Sequence, residues 1–318
     1  MKLFDKILRR LRIYSRIEDI INSYSSRTAS LIMQRECEKI RYDLFSMAVH
    51  SSQPGISSTK WCENEVIISL TSYGERIYDV CLAIESIMQG TMLPNRIVLW
   101  LSEEEFKGKT LPLTLQNQMK RGLEIRYTAD IKSFKKLIPS LKEFPESVII
   151  TIDDDVMYNY DFVENLVNSY RSNPMVIHAN RLSEISYHED GHFESYLKWK
   201  PIIGNSIKDS LAYLFTGVGG VLYPPHSLDA AVFDEETYMS ICRYADDVWF
   251  SAMAIKKGTK VHKSYTHDLR GEEYTSIQGN QANSLCTDNN NPDNCRNDIQ
   301  IKAVYERFRI IERLRESK

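Results

Sequence analysis

One stretch of the chain, residues 148–156, constrains the fold more than any other. Its first five residues are VIITI, and four of them are both β-branched and apolar, which is typical of a strand buried on both faces. Three consecutive carboxylates follow, at Asp153, Asp154 and Asp155. Adjacent like charges need a compensating cation or a positively charged ligand. Because ligands of open α/β sheets bind beyond the carboxyl ends of the strands, the stretch predicts a core strand that ends in a ligand site.

The three carboxylates admit two interpretations. In an extended chain, Asp153 and Asp155 point to the same side, as two acidic ligands of a divalent metal that holds a phosphorylated substrate would. Asp154 then points the other way, and we expect it to be structural. The alternative is a solvated turn whose carboxylates cap the helix that follows.

Strands and helices alternate from residue 65 onwards. Short apolar runs predict strands over 66–70, 96–101, 123–127 and 148–152, with helical segments over 77–88, 103–120 and 134–141. Repeated β–α–β units of this length imply an α/β fold, with a mostly parallel sheet flanked by helices and right-handed crossovers. The segments after the strands are then expected to meet at one edge of the sheet, namely 71–76, 102–104, Asp130 and 153–155.

The two ends of the chain differ from its middle. We divide the sequence into an N-terminal helical extension and linker over 1–60, a catalytic domain over 61–270, and a polar loop with an amphipathic helix over 271–318. Both ends combine an apolar helical stripe with a basic face. Such helices either lie on anionic lipid or pack on the domain or on a partner subunit, so peripheral membrane contact and a homo-oligomer both stay open.

Composition excludes several classes of protein. The net charge of −3 provides no basic field for nucleic acid, so we expect no nucleic-acid partner. Six cysteines without a C-x-x-C pair, and no secretory signal, predict reduced thiols in a cytoplasmic protein. No apolar run is long enough for a transmembrane helix, so membrane association would be peripheral, on the cytoplasmic face.

A second acidic pair, Asp246-Asp247, immediately precedes an apolar helical segment over 248–255. Carboxylates at a helix N-terminus are stabilised by the helix dipole, so a capping role would explain them without any function. A carboxylate held there and facing a cleft is also a well-placed general base.

The segment 215–225 carries glycines at 217, 219 and 220 ahead of an apolar run. It lacks the Gly-Lys-Ser/Thr ending of a phosphate-binding loop. The glycines therefore indicate either a close approach of the backbone to a ligand or a tight bend.

Taken in order, these motifs resemble a known family over about residues 64–265. The run VIISLTSYGER at 66–76 and the helical segment AIESIMQ at 83–89 resemble the N-terminal signature of GT-A glycosyltransferases of the family 2 type, found in bacterial surface-polysaccharide synthesis. The acids at 153–155 resemble their DXD motif, and the pair at 246–247 resembles the Glu-Asp pair that supplies their catalytic base. The chain departs from the family at 102–104, where an Asp is usual, and at Asp246, where a Glu is usual.

The resemblance implies a role for each matching residue. A nucleotide-sugar donor, most often a UDP-sugar, would bind through Mn²⁺ or Mg²⁺ held by Asp153 and Asp155, with His262 or His267 as a further ligand or as plain strand and loop histidines. Asp247 or Asp246 would be the base, the choice between them staying open. The donor-binding set is Thr71, Tyr73, Arg76, Lys135, Lys136, Asp153 and Asp154, and the acceptor-binding set is Gly219, Gly220 and Trp249.

The leading hypothesis is a metal-dependent, inverting glycosyltransferase of the hexosyl- or N-acetylhexosaminyltransferase class. Its acceptor would be a glycan or a polyprenyl-diphosphate-linked glycan, and a retaining mechanism stays open. Two alternatives are a sugar nucleotidyltransferase, which would need a Gly-rich triphosphate loop that the first strand lacks, and a non-catalytic glycan-binding or scaffold protein.

Overall fold

The computed structural model of the chain describes residue 28 and residues 31–188, 192–204, 208–265, 273–277, 289 and 295–316. Three predicted features therefore lie outside the described residues. They are the part of the N-terminal helix over 1–27, His267, and the polar loop between 278 and 294 apart from Asn289.

Within the described residues, a seven-stranded sheet forms the centre of the fold. Its strands are β1 (Val66–Thr71), β2 (Arg96–Ser102), β3 (Leu123–Thr128), β4 (Val148–Thr151), β6 (Ile177–Ala179), β10 (Val221–Tyr223) and β11 (Val261–Lys263). They lie in the order β11-β6-β10-β4-β1-β2-β3, and neighbours are parallel except at β10, which runs antiparallel to both β4 and β6. The four predicted strands over 66–152 are confirmed as β1 to β4, and so is the α/β fold class.

Helices cover both faces of the sheet. The described part of α1 spans 31–50. The side chains of α2 and α6 belong to the core cluster on one face, and those of α8, α9 and α10 belong to the cluster on the other. The remaining helices are α2 (Val80–Met88), α3 (Glu103–Phe106), α4 (Leu113–Met119), α5 (Ile138–Glu143), α6 (Phe162–Ser172), α7 (Glu235–Ile241), α8 (Asp246–Lys257), α9 (Arg296–Phe308) and α10 (Ile310–Glu316).

The burial of β4 follows from its position in the middle of the sheet. All four of its residues have no exposed surface. Ile149 packs in the cluster of α8, and Ile150 packs in the cluster of α2. Successive side chains of a strand point to opposite faces, so a strand covered on both sides is apolar at nearly every position; in β4 the exception is Thr151, at its carboxyl end.

Two small antiparallel units accompany the main sheet. β5 (Val156–Tyr158) pairs with β12 (Tyr274–Ser276), and β7 (Leu182–Glu184) pairs with both β8 (Lys200–Pro201) and β9 (Tyr213–Phe215). The sequence of 180–213 has no clear period, because strands of two or three residues are too short to show an alternation.

The C-terminal amphipathic helix packs into the core. The apolar side chains of α9 and α10, including Ile301, Val304 and Leu314, are buried in the cluster that contains α8. Placing this helix on a lipid surface is therefore wrong, since its apolar stripe is already covered by protein. No helix among the described residues combines the length and the apolarity needed to cross a membrane.

Candidate functional site

A cavity of about 760 Å³ opens at the carboxyl ends of the central strands. The segments at 71–76, Asp130 and 153–155 meet there as predicted. The segment 102–104 does not line the cavity, and Glu105 on α3 takes its place. The wall is completed by the start of α8, by residues that follow β6 and β9, and by residues of the strand Tyr274–Ser276.

Arg76 holds two of the three consecutive carboxylates. Its Nη1 lies 2.8 Å from Asp154 Oδ1 and 3.2 Å from Asp155 Oδ2. Asp154 also accepts a hydrogen bond of 2.6 Å from the Ser72 hydroxyl, and its side chain is nearly buried. Burial raises the pKa of Asp154, with Arg76 and Ser72 opposing that shift. Both of its oxygens thus join the segment after β4 to the segment after β1. The expected alternation, with Asp153 and Asp155 on one side and Asp154 on the other, is wrong, because the chain turns at 154–155. One nitrogen of Arg76 contacts Asp154 and Asp155 together, while Asp153 contacts Lys136.

The pKa of Asp155 is raised to about 6; burial is the largest cause, the adjacent Asp153 and Asp154 add to it, and Arg76 opposes it. A carboxylate that is hard to ionise next to two others indicates a cluster that is short of positive charge. A divalent cation or a cationic ligand would relieve that shortage.

Lys136 connects the two acidic groups of the sequence. Its buried Nζ lies 2.9 Å from Asp153 Oδ1, 2.9 Å from Asp246 Oδ2 and 3.8 Å from Asp247 Oδ1. Burial alone would lower the pKa of this lysine, but the three carboxylates outweigh burial and raise it well above its ordinary value. The lysine is therefore charged, and its role is to hold the carboxylates in place.

Asp246 and Asp247 differ in what their oxygens contact. Asp246 accepts a hydrogen bond of 2.8 Å from the Ser133 hydroxyl on one oxygen and pairs with Lys136 through the other. Asp247 accepts a hydrogen bond of 3.0 Å from the backbone N–H of Gly217 on Oδ2. Its Oδ1 is buried and has no hydrogen-bond partner among the described residues. Asp246 Oδ2 also has no hydrogen bond among the described residues, but it lies 2.9 Å from the Lys136 ammonium, whereas Asp247 Oδ1 lies 3.8 Å from it. Asp247 Oδ1 is therefore the less engaged of the two oxygens.

The pKa of Asp247 is raised to about 7. Burial is the largest cause, Asp246 and Asp153 add to it, and Lys136 opposes it. A carboxylate whose pKa lies near neutral pH can accept a proton and release it again under physiological conditions.

Of the three glycines, Gly217 is the one that approaches the acids. A Cβ at this position would lie 2.5 Å from Lys136 Nζ and 3.0 Å from Asp247 Oδ1. Gly219 and Gly220 do not line the cavity. A Cβ there would meet Arg181 at 2.7 Å and the Phe162 ring at 2.3 Å, respectively. Both residues are glycines because protein atoms pack against them, so their assignment to the acceptor is corrected.

Trp249 and His262 also lie away from the cavity. Trp249 is completely buried, donates a hydrogen bond of 3.2 Å to the Val232 carbonyl and packs against Phe308. Two residues along a helix correspond to a rotation of about 200°, so Trp249 faces the core when Asp247 faces the cavity. His262 lies on β11, the outermost strand of the sheet, and pairs at 2.6 Å with Asp209. Because neither side chain lines the cavity, the predicted acceptor role of Trp249 and the predicted metal role of His262 are both corrected.

The remaining predicted residues line the cavity with their polar groups partly engaged. Thr71 donates a hydrogen bond of 2.8 Å to the Trp100 carbonyl, and the Arg76 guanidinium lies 5.1 Å from the centre of the Tyr73 ring. Lys135 pairs with Asp130, as does Lys132. Although burial opposes ionisation, hydrogen bonds from these two lysines lower the pKa of Asp130 to about 2.

Several residues that line the cavity were not predicted from the sequence. Ser72 lies inside a motif that was recognised, so its position could have identified it. The others come from segments without a recognisable pattern, and they include Ser133, Arg181, Tyr196, Tyr244, Tyr274 and Asn297.

The residues present fit a metal that is only partly held by protein. Among the described residues, no group of three or more His, Cys, Asp or Glu side chains could hold a metal ion alone. Asp153 and Asp155 supply two carboxylates, which is the usual protein contribution to a Mg²⁺ site completed by substrate phosphates and water. The raised pKa of Asp155 agrees with this arrangement.

Comparisons with known proteins give a likeness of fold only. The sequence matches no protein-family model and no curated protein. A mannosyltransferase from Pyrobaculum calidifontis, solved with GDP-mannose and Mn²⁺, is similar at a TM-score of 0.40 and 12% identity. That likeness covers 73% of this chain and 64% of the mannosyltransferase, so the chain spans less than two thirds of that protein.

Two further solved structures are similar at the same low level. The inositol-1-phosphate CTP transferase from T. maritima has a TM-score of 0.39 and 12% identity, covering 76% of this chain and 96% of that one. Glucosyl-3-phosphoglycerate synthase from Mycobacterium tuberculosis has a TM-score of 0.29 and 14% identity, covering 41% and 48%. None of them assigns a family. The function is argued from the site.

Proposed function

We propose that the chain is a glycosyltransferase that moves a sugar from a nucleotide-sugar donor to a glycan hydroxyl with inversion at the anomeric carbon. The observation that carries the proposal is the state of Asp247. This carboxylate starts α8, has one oxygen held by Gly217 and one without a hydrogen-bond partner among the described residues, and has a pKa of about 7. Lys136 joins it to the acids that follow β4.

The acids after β4 and the segment after β1 form the donor side of this proposal. Asp153 and Asp155 would hold Mn²⁺ or Mg²⁺ together with the diphosphate of the donor, and Thr71, Tyr73 and Arg76 would contact the nucleotide. The metal ion would offset the charge that collects on the leaving diphosphate. Arg76 keeps Asp154 and Asp155 in place, because both carboxylates contact its Nη1.

Asp247 would take the proton from the attacking hydroxyl. A sugar hydroxyl is a poor nucleophile at neutral pH and needs a base within hydrogen-bonding distance. Oδ1 of Asp247 is the oxygen free to accept that proton, while the Gly217 N–H fixes the carboxylate through Oδ2. Asp246 accepts a hydrogen bond on Oδ1 and forms an ion pair of 2.9 Å with Lys136 through Oδ2, so it would position Lys136 and take no proton.

Product analysis tests the proposal. The protein is incubated with Mn²⁺ and a panel of nucleotide sugars beginning with UDP-sugars, and the released nucleotide is identified. Release of nucleoside diphosphate, lost in Asp155→Ala, is expected. Release of pyrophosphate from a sugar phosphate and a nucleoside triphosphate would instead establish a nucleotidyltransferase. Failure to bind any nucleotide would leave a non-catalytic glycan-binding protein.

The lipid-linked form of the acceptor now rests on fewer observations. Because the C-terminal helix is packed in the core, the argument for a peripheral membrane location and a polyprenyl-diphosphate-linked acceptor depends on the basic N-terminal sequence. We propose a glycan acceptor on the cytoplasmic face, with the lipid link to be tested by the N-terminal deletion described below.

A further inference from the structure

The basic side chains that line the cavity are nearly all paired with acids. Arg76 pairs with Asp154 and Asp155, and Lys136 pairs with Asp153 and Asp246. Lys132 and Lys135 both pair with Asp130. Arg181 is the exception, since no described acidic side chain lies within ion-pair distance of it. Its Nη1 donates a hydrogen bond of 2.9 Å to the Tyr274 hydroxyl.

The backbone of Arg181 is fixed by the glycine segment. The Arg181 carbonyl accepts a hydrogen bond of 3.1 Å from the Thr216 N–H. A Cβ at Gly219 would lie 2.7 Å from Arg181 Cβ and 3.0 Å from its nitrogen. Asn180, the preceding residue, is buried and donates a hydrogen bond of 2.9 Å to the Gly219 carbonyl. Gly219 is therefore needed to let the segment between β6 and β7, which carries Arg181, pass close by.

Sheet register places Arg181 at the same edge as the acids. Ala179 on β6 is level with Val221 on β10, which is level with Thr151 on β4. Two strand spacings separate β6 from β4, so the backbones of Arg181 and Asp153 are about 10 Å apart across the sheet. The donor side, at β1, lies beyond β4 in the opposite direction.

Tyr274, which lies outside the main sheet, orients the Arg181 guanidinium by accepting its hydrogen bond. It belongs to β12, which is held antiparallel to β5 with Tyr274 level with Tyr158. A guanidinium has five N–H donors in a planar fork, and the bond to Tyr274 uses one of them. The others remain for a ligand. A planar fork of this kind matches a carboxylate or a phosphate with two parallel hydrogen bonds.

We propose that Arg181 is an anion subsite for the acceptor, and that the acceptor carries a carboxylate or a phosphate close to the hydroxyl that is glycosylated. That the ligand of this subsite is the acceptor of sugar transfer rests on the proposed function. An acidic sugar or a phosphate-substituted glycan is therefore the preferred substrate class. Tyr196, Tyr244 and Asn297 line the same cavity and would contact the sugar rings.

Matched glycosides test the subsite directly. Dissociation constants of octyl glucuronide, octyl glucoside 6-phosphate and neutral octyl glucoside are measured by calorimetry, with and without UDP and Mn²⁺. The two acidic probes are expected to bind wild type about ten- to a hundredfold more tightly than the neutral one. In Arg181→Gln that preference is expected to fall to less than about threefold, and in Tyr274→Phe to an intermediate value.

The control variant is Arg171→Gln, which removes an exposed arginine on α6 outside the cavity and is expected to keep the full preference. Equal binding of acidic and neutral probes to wild type, including no binding of either, would overturn the inference. So would a preference that survives in Arg181→Gln. Weaker binding of UDP to Arg181→Gln would assign the arginine to the nucleotide instead. If wild type binds acidic glycosides through Arg181 but binds no nucleotide, the proposed function fails and the anion subsite stands.

Discussion

Lys136 is the residue on which the geometry of the acids depends. Its ammonium group contacts Asp153 and Asp246 at 2.9 Å each and lies 3.8 Å from Asp247. Without it, three carboxylates would be partly buried near one another and would repel. One side chain from the segment after β3 thus holds together the ends of β4 and α8.

Replacing Lys136 by Met is expected to destabilise the fold by about 3–5 kcal/mol, because it leaves buried carboxylates without their cation while keeping the side-chain volume. Urea unfolding at pH 7 measures the loss. Lys107→Met is the matched control, since Lys107 forms an exposed pair with Glu103, and we expect it to cost less than about 1 kcal/mol. Similar losses in the two variants would contradict the central position given to Lys136.

Asp247→Asn is expected to lower sugar transfer by about 10²–10⁴-fold, since an amide cannot accept the proton of the acceptor. For wild type, kcat/KM should rise with pH through a midpoint of about 7, because Asp247 must be ionised to act as a base. Steady-state rates over a pH series give both results. Asp43→Asn, an exposed acid on α1, should keep the wild-type rate and profile. A profile without a step near neutral pH would exclude Asp247 as the base.

The same variant has an opposite effect on stability. The pKa of Asp247 is higher in the folded protein than the usual value of about 4 for an unfolded chain, so ionising it destabilises the fold increasingly as pH rises towards about 7. Asp247→Asn should therefore be more stable than wild type at pH 8, and the difference should shrink as pH falls towards 4. Thermal unfolding across this range is the measurement. A variant that is less stable at pH 8 would show that the carboxylate is not strained by burial.

At the level of structural elements, two glycines of the turn at 217–220 are required for different reasons: Gly220 for packing and Gly217 for the arrangement of the acids. Gly220 has a φ of 82°, and its Cβ would collide with Phe162, whereas the contacts of Gly217 are the Lys136 ammonium and Asp247. Gly220→Ala is expected to destabilise the fold by more than about 1 kcal/mol. Gly217→Ala should cost less stability than Lys136→Met, since the end of a lysine can move and keep part of its ion pairs, but it should lower sugar transfer. Unfolding and transfer assays on both variants separate the effect on stability from the effect on sugar transfer. Equal changes in the two variants would contradict the different roles given to Gly217 and Gly220.

The strands that position the donor side could be predicted from the sequence, and the rest of the wall could not. β1, β2 and β4 are mainly apolar runs of six, seven and four residues, long enough to show burial on both faces. β3 has six residues, lies at the edge of the sheet and alternates apolar with charged residues over its first four positions. β5, β10 and β12 have three residues each, and their pairing depends on contacts distant in sequence. Arg181 and Tyr274 reach the cavity only through those pairings, so no local pattern marks them.

The acids of the site were identifiable because charge after a buried strand is unusual, but their partners were not. Nothing in the sequence joins Lys136 to Asp246, since the contact forms only when α8 packs against the segment after β3. Trp249 was misplaced for a related reason. A tryptophan next to an acidic pair suggests a ligand contact until the helix rotation between them is known.

For the whole molecule, the packing of the C-terminal helices leaves the basic amphipathic pattern in the sequence of residues 1–27 as the remaining argument for lipid binding. Full-length protein is expected to float with vesicles of anionic lipid, and a variant lacking residues 1–27 is expected not to, because basic residues near the surface each contribute about 1 kcal/mol of attraction. Vesicles of neutral phosphatidylcholine are the control. Unchanged flotation of the shortened protein would remove the support for a lipid-linked acceptor.

Part of the cavity wall comes from β12 and α9, which follow all strands of the main sheet in sequence, and this order matters during biosynthesis. A nascent chain that has emerged through β11 possesses every strand of the main sheet, yet it lacks Tyr274 on β12 and Asn297 on α9 from the cavity wall. It also exposes the apolar surface of α8 that α9 and α10 cover. The acids can assemble around Lys136 once α8 has emerged, whereas the wall that carries Tyr274 and Asn297 closes only after β12 and α9 have emerged.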